Sequence, residues 1–262
     1  MYPDIAWLDL ANRRRSLIGY CAGMAVYALA VVAMYPAFKT STSLDKLIAA
    51  DSTAAALFGV TGPISTSGGW LNANIYANFL PLIMLLLTIG YGAACLAGQD
   101  EDGTLGTLAV LPVRRTAIVV QKAAAMAVQA AALTITVAVL VIIGRSFQLD
   151  VTIANVASVS AAVFLLGVDL GLVTMAAGAL TGRRGTAIGA GTALAAASYL
   201  VSSLAPVAPW IRPARYASLF YWSVGNSQIS HGVSPGGYAV LITTGLCALA
   251  AATLAFRRLD IH

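Results

Sequence analysis

Gln99–Arg115 reads QDEDGTLGTLAVLPVRR, a polar interval set between two apolar runs, Tyr76–Ala97 and Ala117–Ile143. A run of ~20 apolar residues is enough to cross a hydrocarbon core, so the interval is a loop at a membrane surface. Three consecutive acids, Asp100, Glu101 and Asp102, open it, and Pro112, Arg114 and Arg115 close it. Acids are favoured at the cap and first turn of a helix, where free N–H groups and the helix dipole meet them. Leu105, Leu108 and Leu111 then recur along one side. Pro112 disfavours helix at Leu111, which predicts a short amphipathic helix beginning at the acids. Such a helix is marginal by itself in water and needs a surface to lie against. The alternative is an interfacial turn with solvated acids.

The rest of the chain agrees with a membrane setting. Of its 262 residues 59% are hydrophobic and 10% charged, with mean hydropathy +0.84, which excludes a soluble globular domain. Six runs are long enough to span: 17–38, 76–97, 117–143, 154–180, 187–207 and 238–256. Backbone groups in lipid must be paired internally, so these are helices. Their apolar character is continuous rather than alternating, which excludes a barrel. The fold class is therefore all-α membrane protein, with residues 1–262 as one domain and no internal repeat.

The formal charge of +5 does not point to nucleic acid, because the basic residues cluster at the ends of the apolar runs. With the N-terminus inside, Arg13–Arg15, Arg114, Arg115, Lys122, Arg183, Arg184, Arg257 and Arg258 face the cytoplasm, ten against five outside. Lys39, Lys46, Arg145, Arg212 and Arg215 are the five. Both termini are thus expected in the cytoplasm.

Three stretches outside the spans are more than connectors. Pro3–Arg15 sets Ile5, Trp7, Leu8 and Leu10 beside a basic run, as an N-terminal interfacial helix or a tail anchored by Trp7 would. In the outer segment Lys39–Ile75, Ser43 can cap a helix bearing Leu44, Leu47 and Ile48, and Gly59, Gly62, Pro63, Gly68 and Gly69 then break it. Ala208–Gly237 carries Trp210, Tyr216, Phe220, Tyr221 and Trp222, too apolar for open solvent, and reads as a re-entrant or interfacial outer hairpin before the sixth span.

Catalytic signatures are missing. None of Lys39, Lys46 and Lys122 lies in a Gly-rich phosphate loop, so the chain has no P-loop of its own. Cys21, Cys95 and Cys247 sit far apart in apolar runs, and the histidines are His231 and His262, so no metal site or disulfide framework is indicated. Nothing calls for a cofactor on this chain or for catalysis by it alone. Asp169, in the middle of the fourth span, is either a pathway residue or a hydrogen-bonded packing residue. Gly19-x-x-x-Gly23, Gly167-x-x-x-Gly171 and Gly185-x-x-x-Gly189 allow close helix approach, within the chain or between copies.

Asp100, Glu101, Gly103, Thr104, Leu105, Leu108, Pro112, Val113 and Arg115, followed by Lys122, form a series that resembles the intracellular coupling segment of ABC-2 type permeases. Those are the membrane subunits of bacterial ABC exporters. GALTGRRGTAIGAGTALAAASYL, from Gly178 to Leu200, is similar to the cytoplasmic turn and fifth span of the same family. Two positions depart from the pattern: Gly106 stands where an acid is frequent and Arg114 where Ser is frequent, and both change the charge of a docking face.

The resemblance implies a cytosolic ABC ATPase, in two copies, docking on Gln99–Arg115, Asp102 included, and touching the Arg183–Arg184 turn. ATP and Mg would be bound by that partner. It also implies a second permease subunit, identical or homologous, met through the first and fifth spans at Gly19, Gly23, Gly185 and Gly189. The implied cargo is hydrophobic or amphiphilic (a drug, antibiotic, lipid or peptide) and the implied location is the bacterial cell membrane. The rival reading is a proton-coupled secondary transporter using Asp169, weakened by the single acid and the lack of repeated halves.

Overall fold

The structure is a computed structural model and describes residues 5–39, 63–104, 114–225 and 228–258. Among these, all regular structure is helical, and six helices are long and apolar enough to cross a membrane.

Helix α1, Ile5–Phe38, is continuous over 34 residues. At 1.5 Å per residue it is ~51 Å long, well beyond a hydrocarbon core of ~30 Å. The expected N-terminal interfacial helix is therefore not a separate element. No Gly or Pro interrupts Ile5–Ile18, and Arg13–Arg15 are good helix formers, so the helix runs through them.

Helix α2, Ser67–Glu101, starts well before the apolar run that predicted it. Gly68 and Gly69, expected as breakers, lie in its first turn. Thr66 caps that turn, its Oγ1 accepting the Gly69 N–H at 3.1 Å. A Cβ at Gly69 would collide with the Pro63 carbonyl, so close approach, not a break, is what glycine provides there. The helix expected from Ser43 lies outside the described residues. Within α2 the backbone widens to π-helix at Asn72–Phe79, just ahead of Pro81. A proline has no N–H for the ladder, and the wider turn absorbs the mismatch. Asn74 and Asn78 donate side-chain amides to the Trp70 and Ala73 carbonyls, both at 2.9 Å, adding side-chain bonds to this stretch. A second π-turn, Ala94–Gly98, precedes the end of the helix.

Helix α3 is Arg115–Ile143 and α4 is Ile153–Thr181, which Gly182 ends with φ 63°. Helix α5, Arg184–Leu204, follows at once. Where an outer hairpin was expected, the described residues form short pieces: a 3-10 turn at Arg212–Ala217, α6 at Leu219–Ser223 and α7 at Gln228–His231. Helices of this size are too short to form a helical hairpin of membrane depth. They fold against the bundle instead, Ser218 donating to the Ser198 carbonyl at 2.6 Å beside the buried Phe220. Helix α8, Pro235–Arg258, completes the set.

Helix α4 is central and packs on α2, α3, α5 and α8, whereas α1 lies mainly along α3. In their most apolar stretches α2 and α4 are each 61% buried, against 22% for α1 and 28% for α5. Small residues set the α2–α4 spacing. A Cβ on Gly92 would strike the Gly171 carbonyl, one on Gly167 would strike Met84, and one on Gly178 would press on Ala97. Association in lipid rests on such van der Waals contact, because lipid tails remove the hydrophobic drive between helices.

Candidate functional site

The ends of five helices meet at one end of the bundle. Lys122 of α3 is fully buried, and its Nζ donates to Asp9 Oδ2 of α1 at 3.2 Å and to Gln99 Oε1 of α2 at 2.9 Å. Tyr91 of α2 donates its hydroxyl to the same Asp9 oxygen at 2.6 Å. The Arg13 guanidinium lies 4.9 Å from the Tyr91 ring centre. Nearby, the Ile5 N–H donates to Gln121 Oε1 at 2.8 Å. Thus α1, α2 and α3 are tied by charge-assisted bonds in a site shielded from water, where such bonds are strong and expensive to leave unmade.

Two further links complete this end. Glu101 Oε1 accepts the backbone N–H of Arg184 at 2.9 Å, joining the end of α2 to the start of α5. Arg115, at the start of α3, donates to the Phe256 carbonyl of α8 at 3.3 Å, a cation at a helix C-terminus as the dipole favours. The structure therefore gathers Arg13–Arg15, Arg114, Arg115, Lys122, Arg183 and Arg184 at a common end, in the register read from the charge clusters.

The acids differ from expectation. Asp100 and Glu101 close the last turn of α2 rather than opening a new helix, Asp102 follows, and Gly103 at φ 67° turns the chain away. Only glycine adopts that backbone freely, which is why the helix stops there. An acid at a C-terminus opposes the dipole of its own helix. Glu101 resolves this by reaching the N-terminus of α5, where a carboxylate is welcome. Thr104 donates to the Gln99 carbonyl at 3.2 Å and steadies the turn. Leu105, Leu108 and the rest of the expected short helix, through Val113, lie outside the described residues.

The remaining candidates separate cleanly. Gly167 and Gly171 are used within the chain, but a Cβ on Gly19, Gly23, Gly185 or Gly189 would meet nothing within 4 Å. Asp169 is 1% exposed, and its Oδ2 has no hydrogen-bond partner among the described residues. Its other oxygen faces α8, where Gly245 leaves the room; a Cβ there would sit 2.5 Å from Oδ1. Between α2 and α5 runs an apolar cavity of about 550 Å³, walled by Leu82, Leu86, Ile89, Ile188, Ala196 and Phe220. At one end of it Tyr199 donates its hydroxyl to Asn78 Oδ1 at 3.1 Å.

Asp9 and Tyr91 escaped sequence reasoning, and Gln99 was read only as the first residue of the docking segment, not as a partner of Lys122. One signal pointed toward them: Lys122 is a lysine inside an apolar run, and an intramembrane cation requires a partner.

Six membrane-length helices with a polar, cross-tied end define a multi-pass membrane protein. A family model described as ABC-2 family transporter protein matches residues 4–219, and the chain belongs to that family. Membership makes it the membrane component of an ABC transporter and implies an ABC ATPase as its partner. No curated protein matches the sequence.

Proposed function

We propose that this chain is the permease subunit of an ATP-driven exporter, residues 1–262 forming one permease domain and half of a dimeric membrane unit. The cytosolic ATPase, in two copies carrying ATP and Mg, docks on Gln99–Arg115 and on the Arg183–Arg184 turn, with both termini on the cytoplasmic side of a bacterial cell membrane. The observation that carries this reading is the Glu101–Arg184 bond. It brings the end of α2, where the docking segment begins, against the α4–α5 turn, which supports one partner touching both. The open faces at Gly19, Gly23, Gly185 and Gly189 support a second permease copy on α1 and α5. The apolar lining of the α2–α5 cavity supports a hydrophobic or amphiphilic cargo.

Glu101→Lys tests the docking. It would replace a carboxylate at the α5 N-terminus with a cation facing the dipole and change the charge of the docking surface. The variant inserts normally but loses ATPase co-purification and the hydrolysis stimulated by the permease. Wild-type values for both would remove Glu101 from the coupling surface.

A further inference from the structure

A buried ion pair is poor evidence of a stabilising role, because matched apolar residues often serve a fold as well or better. The placement of Lys122 and Asp9 is more informative than their charge. Lys122 is fully buried and holds both Asp9 of α1 and the side chain of Gln99, the first residue of the segment on which docking is proposed. Gln99 in turn holds Thr104 through its carbonyl, and Glu101 in the same turn holds α5. Displacement of this turn is therefore felt directly by Lys122, and through it by α1.

Helix α1 is well placed to respond. Its apolar stretch is the least buried of the six, and it lies mainly on α3. Its outer end is held by the Trp70 indole, which donates to the Val31 carbonyl at 2.9 Å, and by Tyr35, which accepts from the Ser67 hydroxyl at 2.9 Å. Its other end is held by the polar cluster. A helix fixed at two ends and loosely covered between them moves as its ends move. By contrast α2 and α4 meet backbone to backbone at Gly92 and Gly171 and shift only together.

We propose that Lys122, Asp9 and Gln99 are positioning residues that make α1 follow the ATPase-docking turn, so that nucleotide-driven movement at the turn reaches the open face of α1. This rests on the docking reading above. Lys122→Met alone would leave Asp9 buried without its cation and could fail to fold, so the informative variant is Asp9→Leu with Lys122→Met, which removes both charges.

The test uses the full chain with its co-purifying ATPase in lipid nanodiscs. Spin labels are placed at Asn12→Cys on α1 and at Ala161→Cys, an exposed position on the central α4 that serves as the fixed reference, with Cys21, Cys95 and Cys247 replaced by Ala. The label separation is measured without nucleotide and after trapping with ATP and vanadate. We expect a shift on trapping in the unmodified pair. In the double variant we expect that shift to be lost while ATPase binding and basal hydrolysis are kept. A shift that survives in the double variant overturns the proposal, as does the lack of any shift in the unmodified pair with ATPase bound and cycling. If the ATPase does not co-purify with the unmodified chain, the docking reading fails and this link fails with it, and that outcome is told apart by the purification alone.

Discussion

Gly92→Ala isolates the contact that holds the core together. A Cβ at this position would overlap the Gly171 carbonyl oxygen and stand 3.3 Å from both the Gly171 carbonyl carbon and the Met175 nitrogen. All three obstacles are backbone, so no rotamer change relieves them, and α2 and α4 must move apart. Separation also loosens the neighbouring contacts that Gly171 makes with Thr88 and Gly178 with Ala97. Overpacking of a tight core costs typically ~1–3 kcal/mol, and rigid obstacles place this case at the upper end. Alanine recovers up to ~1 kcal/mol of helix propensity, which leaves a net loss of about 2 kcal/mol. For a chain of this size that corresponds to a fall in melting temperature of roughly 4–8 °C. Gly185→Ala is the control: its Cβ meets nothing within 4 Å, so only the small propensity gain remains. Thermal unfolding of the purified chain in detergent measures both. The reasoning fails if Gly92→Ala melts with the wild type, or if Gly185→Ala loses as much.

Gly185→Leu with Gly189→Leu should leave the single chain folded but abolish assembly of two permease copies, read by native mass spectrometry; an unchanged dimer would move the seam elsewhere. For Asp169→Asn, efflux of a hydrophobic dye from ATP-supplied vesicles should persist and resist a proton uncoupler, because the nearly isosteric amide fits the notch at Gly245. Dye transport that survives without ATP and collapses with the uncoupler would favour proton coupling through Asp169.

Legibility divided along physical lines. The six spans were readable because lipid demands long, continuous apolar helices; five of the predicted spans fall inside the observed helices, and the fifth, 187–207, overruns the helix end at Leu204. The family was readable because its coupling motif is local in sequence, from Asp100 to Arg115. What failed was anything that depends on which helix lies opposite. Gly19, Gly167 and Gly185 open identical spacings, yet only the Gly167 pair is buried within the chain, since spacing does not encode direction. Asp100–Asp102 carried the composition of a helix start, but α2 had not yet ended, and Gly103 rather than the acids marks the boundary. Asp9 and Lys122 stand 113 residues apart, and no periodicity connects them.

The two kinds of contact in this molecule suit two mechanical roles. Apolar packing at Gly92 and Gly171 is spread over many atoms at close range, each contributing little, so it resists partial displacement and keeps α2 and α4 as one body. The links at the polar end are few and directional: Lys122 to Asp9 and Gln99, Glu101 to Arg184, Arg115 to Phe256. Bonds of that kind transmit a pull along a defined line and exchange partners without opening a cavity. They join the peripheral α1 and the start of α5 to the turn where docking is proposed, while the glycine contacts fix the helices behind them. A permease that must move its outer helices against a constant core needs this division, and here it falls between helices rather than within them.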